Sequence, residues 1–165
     1  MEHLKQYISL CWFKGSLEEL PESMPLLYRA LIFYVTIGIF VITNMTGFIE
    51  AIIQVFIKVV LILLFISIVL FFTKGMKQYL KVLTSYLVCQ DLISIFALPL
   101  LIWVTVTDDS LAYYSLSAVM LWAVAIIAYI NNQIISLGSF PSFLLSLTFF
   151  LSVYGGSFVL LLLVA

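Results

Sequence analysis

Residues 110–165, the final third of the chain, contain no formally charged side chain. A run of 56 uncharged residues has no stable home in water, where exposed positions are filled mainly by polar and charged groups. The rest of the chain agrees. Of 165 residues, 65% are hydrophobic and 9% charged, against about 45–50% and about 25% in soluble domains. A soluble domain of this length still exposes about a third of its unfolded-chain surface, so the apolar excess could not be hidden. A disordered chain is polar rather than apolar. Nucleic-acid binding needs a basic field, and the net charge is −1. The sequence predicts an all-α polytopic membrane protein whose first partner is the lipid bilayer.

Five segments reach the roughly 20 apolar residues that a spanning helix needs. They run over about 27–47, 51–73, 80–106, 111–130 and 140–165. In the second, 18 of 23 positions are Leu, Ile, Val or Phe. Breakers lie between them: Asn44 to Gly47, Lys74-Gly75, Asp108-Asp109, and Asn131 to Pro141. The runs do not alternate apolar with polar, which argues against a β-barrel. Residues 1–26 form a cytoplasmic segment and 27–165 a five-helix transmembrane bundle. Lys and Arg favour the cytoplasmic side of short loops. An N-terminus inside places Lys5, Lys14, Arg29 and the Lys74, Lys77, Lys81 loop on that side, and the C-terminus outside. The first span has no Ala-x-Ala cleavage site and is read as a retained anchor. Asp108-Asp109 reads as an acidic cap for the following helix. Asn44-Met45-Thr46 has the form of a glycosylation sequon, at the membrane edge. Cys11 and Cys89, one cytoplasmic and one buried, are not expected to pair, and they lack metal spacing.

The N-terminal segment shows helical spacing in Leu4, Ile8, Cys11 and Trp12, with Tyr7 alongside and Glu2, His3, Lys5, Gln6 and Ser9 opposite. This predicts an amphipathic interfacial helix, ended by Gly15. Ser16 and Glu19 have capping-box spacing for a second short helix, which Pro21 stops.

Two charges fall inside spans. A Lys at the bilayer centre costs about 2.5–3.5 kcal/mol on insertion scales, so Lys58 needs water or a partner. Glu50, Gln54 and Lys58, four apart, form one polar ridge. Asp91 in the third span is the natural partner, and a Lys58–Asp91 pair between antiparallel helices is expected. It reads either as a pin for helix register or as part of a proton or ion relay. Pro99 should kink the third span. Ser142 and Ser146, then Ser152 and Gly156, have small-xxx-small spacing, and Gly155-Gly156 would allow close helix approach. Nucleophile-elbow, zincin and Walker motifs are absent. A lone His3 offers no metal set, so no enzyme, cofactor or metal is expected.

The stretch Phe72-Thr73-Lys74-Gly75-Met76-Lys77-Gln78-Tyr79-Leu80-Lys81-Val82-Leu83, with Tyr86 and Pro99 beyond it, resembles the centre of the Yip-type (Ypt-interacting protein) domain. There a basic, Gly-containing loop leads into a helix with a Tyr and a later Pro. The chain lacks the Asp-Leu-Tyr-Gly-Pro motif and long soluble arm of eukaryotic members, and its compact form resembles short bacterial ones. The resemblance implies a scaffold or adaptor in a bacterial cytoplasmic (inner) membrane, and it names no catalytic residue. The expected contact surfaces for a membrane or cytoplasmic protein partner are the N-terminal segment and the Lys74–Lys81 loop, with a homo-oligomer also possible. The alternative is a transport or ion-coupled subunit using Lys58, Asp91, Gln54 and Glu50.

Overall fold

The computed structural model describes residues 2–43, 46–73, 75–107, 109–135 and 138–164, with the side chains of Glu2, His3 and Val164 also outside the description. Lys74, Asp108 and the Asn44-Met45 part of the sequon lie outside the described residues. The described chain is helical and contains no strand. Helix α1 covers Glu2–Cys11, α2 Met24–Thr43, α3 Phe48–Phe72, α4 Tyr79–Thr107 and α5 Ser110–Ile135. The last span is α6, Ser139–Phe150, a π-helical turn over Leu151–Gly155, and α7, Gly156–Val164. Among the described residues, five helices are long and apolar enough to cross a bilayer. The chain is an integral membrane protein.

The boundary between the fourth and fifth spans differs from expectation. Asn131, Asn132 and Gln133 are the penultimate turn of α5 rather than a break, because their side-chain oxygens accept hydrogen bonds from other elements, although Asn131 Nδ2 is buried without a partner. Tyr86 donates its hydroxyl to Asn131 Oδ1, and Gln133 Oε1 accepts from the Leu17 backbone at 2.6 Å. The chain reverses further on, through Gly138 at φ +98°. At the α5 start, Asp109 Oδ1 accepts from the Leu111 backbone N–H at 3.1 Å, as an N-cap does.

Helix α4 is the centre of the bundle. Every residue from Val82 to Asp91 is buried, so no face of this stretch meets lipid. A helix enclosed on all sides needs no amphipathic pattern. Its hydroxyls are satisfied locally: Thr84 donates to the Leu80 carbonyl and Ser85 to the Lys81 carbonyl, both at 2.7 Å. Tyr86 also packs edge-on against Phe149, which packs in turn against Phe65. Beyond Asp91 the helix emerges, and it runs through Pro99 without interruption.

Helix α1 is docked on the bundle. Tyr7, Leu10 and Cys11 are fully buried, while Leu4 and Trp12 of the expected apolar stripe are exposed. The face that packs is the one meeting α4. Tyr7 donates to the Pro21 carbonyl at 2.8 Å, Trp122 Nε1 to the Cys11 carbonyl at 3.2 Å, and Tyr129 to the Gly15 carbonyl at 3.0 Å. The Sγ atoms of Cys11 and Cys89 lie 2.7 Å apart, so the two cysteines that the sequence seemed to separate are neighbours. Burial pushes the Tyr7 phenol above its ordinary value of 10.0. Its neutral, donating form is favoured by folding, so this contribution is intact below pH 10. It should be lost as pH rises through the raised value, which alkaline titration of the Trp12 and Trp122 fluorescence would follow.

Gly15 makes the turn after α1. Its φ of +94° is unfavourable for an L side chain, and an added Cβ would lie 3.0 Å from Ser9 Oγ. Gly15→Ala is expected to cost about 1–2 kcal/mol, read as earlier proteolysis of the N-terminal segment. Ser16 then accepts from Glu18 N at 3.3 Å and opens the short 3-10 turn Leu17–Glu19.

Candidate functional site

Two cavities flank α4, one on each side of the adjacent residues Gln90 and Asp91. Successive helical residues point about 100° apart, so these two side chains serve different spaces.

The first cavity, about 320 Å³, lies among α2, α3, α4, α5 and the π-turn, and is lined by Tyr34, Gly38, Lys58, Gln90, Ser94 and Tyr154 among others. Lys58 enters from α3. Ten residues separate it from Phe48 at the start of that helix, about 15 Å at 1.5 Å per residue. That is the middle of a hydrocarbon layer about 30 Å thick. Its Nζ stands over the Tyr154 ring, 4.9 Å from the centroid. Tyr154 sits in the π-turn, a distortion that recurs at functional positions, and donates its hydroxyl to Gln90 Oε1 at 3.0 Å. The amide is thus held with Nε2 turned away, and Nε2 is buried without a partner. Gly38 in the cavity wall lets α2 approach α3 closely: a Cβ there would come within 3.1 Å of Val55 Cγ2.

The second cavity, about 570 Å³, lies between α1, α2 and α4, with Arg29, Asp91, Phe33, Leu92, Ile95 and Ile8 in its walls. Asp91 is 8% exposed, and its Oδ1 is buried with no hydrogen-bond partner.

The expected Lys58–Asp91 pair is not formed. Lys58 rests on an aromatic face in one cavity and Asp91 opens into the other, because Gln90, not Asp91, is the α4 residue turned toward Lys58. The polar ridge divides as well. Glu50 is exposed at the start of α3, where its Oε2 accepts from the Gly47 backbone at 3.3 Å and caps the helix. Gln54 is half-buried between them and does not line the Lys58 cavity.

The remaining expected sites are separate from both cavities. Lys77 is exposed, and Lys81 donates to the Glu18 carbonyl at 3.1 Å. Pro99 is exposed on α4. In the last span, a Cβ on Gly155 would meet nothing within 4 Å, and one on Gly156 would touch Leu61 at an ordinary 3.5 Å. Close packing falls instead to Ser142, Ser146, Phe149, Val153 and Ser157, all buried, with Ser152 at their margin. Gly155→Ala should therefore leave thermal stability within about 0.5 kcal/mol, whereas Ser146→Leu should cost about 1–3 kcal/mol by overpacking. Among the described residues, no three potential metal ligands converge.

Gln90, Tyr154, Tyr34 and Gly38 were not singled out from the sequence. The available signal was Gln90 itself, an amide beside Asp91 in an apolar span; the π-turn that brings Tyr154 to it has no sequence mark. No family, curated protein or solved structure matches this chain.

Proposed function

We propose that the chain is a small, non-enzymatic carrier or ion-coupled subunit of a membrane, which takes an anionic or acceptor-bearing solute in the Lys58 cavity. One observation carries this reading. Lys58 brings an ammonium to the depth of the bilayer midplane, where it rests on the face of the Tyr154 ring, and Gln90, whose Nε2 is buried without a partner, lines the same cavity. A group that costs this much to bury needs a compensating partner, and a ligand with acceptor oxygens or negative charge supplies it. The volume is that of a small-molecule site. A thermal-shift series on the purified chain with chloride, nitrate, acetate and lactate tests it. At least one anion should raise the unfolding temperature of the native protein and leave Lys58→Met unmoved. Equal responses of the two proteins to every anion would remove the reading.

A second reading, a scaffold or adaptor that binds other proteins as the Yip-type resemblance implies, is favoured by the Lys81–Glu18 contact. That contact joins residues 1–26 and the basic loop into one surface. It is tested by mild-detergent capture, in which Lys77→Glu should weaken any partner retained. In both readings Lys5, Lys14, Lys77 and Lys81 are cytoplasmic by the positive-inside rule, in a bacterial inner membrane, with the C-terminus outside. Five spans are few for enclosing a path, so a carrier would act as a homo-oligomer or beside another subunit.

A further inference from the structure

The Asp91 cavity is a separate space with its own chemistry. Arg29 lies fourteen residues before the end of α2 and Asp91 sixteen before the end of α4, about 21 Å and 24 Å from the opposite membrane face. In a layer about 30 Å thick, both lie within about 6–9 Å of the face that carries α1. This is the depth at which phospholipid headgroups give way to acyl chains. Apart from Ser23, the other lining residues are apolar, Phe33, Leu92, Ile95 and Ile8 of α1 among them.

From this arrangement we infer that the cavity between α1, α2 and α4 binds a phospholipid whose headgroup carries a primary ammonium. The ammonium would meet the Asp91 carboxylate, the phosphate would meet the exposed Arg29 guanidinium, and an acyl chain would follow Phe33 and Ile95 into the membrane. The opposite signs and the buried carboxylate make the choice. An anionic glycerol headgroup offers Asp91 only neutral hydroxyls, with no positive charge to offset its own phosphate. A quaternary choline headgroup gives it a positive charge with no N–H to donate. An unpaired buried carboxylate oxygen is costly, and an ammonium satisfies it by charge and by hydrogen bond together. The site shares no lining residue with the Lys58 cavity, so it stands or falls independently of the carrier reading.

Native mass spectrometry of the delipidated full chain, given equimolar phosphatidylethanolamine, phosphatidylcholine and phosphatidylglycerol, tests the inference. The native chain should retain phosphatidylethanolamine at least tenfold over either competitor. Asp91→Asn should bring the three within about twofold, and Arg29→Gln, at an exposed position, should cut phosphatidylethanolamine retention about tenfold. Soluble phosphoethanolamine should not displace the lipid at comparable concentration. Equal retention of the three lipids by the native chain, an unchanged preference in Asp91→Asn, or displacement by phosphoethanolamine would each overturn it. The native-chain ranking decides the matter even where Asp91→Asn fails to fold.

Discussion

Lys58→Met should make the folded protein more stable and the Lys58 cavity inert. Met approximates the volume of Lys without its charge, so the cavity wall is kept. The ammonium costs about 2.5–3.5 kcal/mol at the bilayer centre, and its contact with the Tyr154 ring returns about 0.5–2 kcal/mol. Removing both should leave a net gain of about 0.5–3 kcal/mol in detergent unfolding. The opposite outcome, a loss of 3 kcal/mol or more, is what breaking a buried ion pair produces and would restore Lys58 to the role of a pin. A double-mutant cycle with Asp91→Asn sharpens the contrast. Since the two groups face different cavities, their effects should add to within about 0.5 kcal/mol. A coupling well above that would mean that the two charges meet after all.

Mild oxidation by copper–phenanthroline should convert nearly all of the protein to an intramolecular Cys11–Cys89 disulfide. The thiols start 2.7 Å apart and need move little to bond. Each loses a proton, and the two electrons pass to the copper oxidant. The product should be about 2–4 kcal/mol more stable than the thiol form, because the bond closes a long loop between α1 and the middle of α4. Loss of two mass units, abolished in Cys11→Ser, is the readout. If the oxidised product is a dimer, or if no disulfide forms while the thiols still react when the chain is unfolded, α1 is not docked on α4.

The spans were legible because bilayer insertion reads length and apolarity, which a single sequence displays directly. Pairings across the bundle were not. Lys58 and Asp91 stood out as charges, and opposite signs in adjacent spans suggested a pair; a rotation of one residue along α4 gave Lys58 a cavity with Gln90 instead. The Asn131-Asn132-Gln133 run looked like a turn since its partners, Tyr86 and Leu17, are 45 and 116 residues away. Gly155 and Gly156 fit a packing motif by spacing alone. The π-turn places Gly155 in open space, and no local signal announces a π-turn. Glu50 was read as part of a path into the membrane, yet three residues after Gly47 it is positioned to cap its own helix.

The enclosed half of α4 sets an order on the making of this protein. Gln90 waits 64 residues for the Tyr154 hydroxyl, and Tyr86 waits 45 for Asn131. At about 5–20 residues per second of synthesis, the Gln90 amide spends roughly 3–13 s without its partner. During that interval Gln90 and Asp91 would face lipid, unless the nascent helix is sheltered by the insertion machinery or by α1 and α2, which are made first. A chain halted after α5 would have Asn131 for Tyr86 but nothing for Gln90. The final span is therefore the piece whose arrival closes the bundle, and ribosomes stalled before residue 154 should yield a product that quality-control proteases recognise as unfinished.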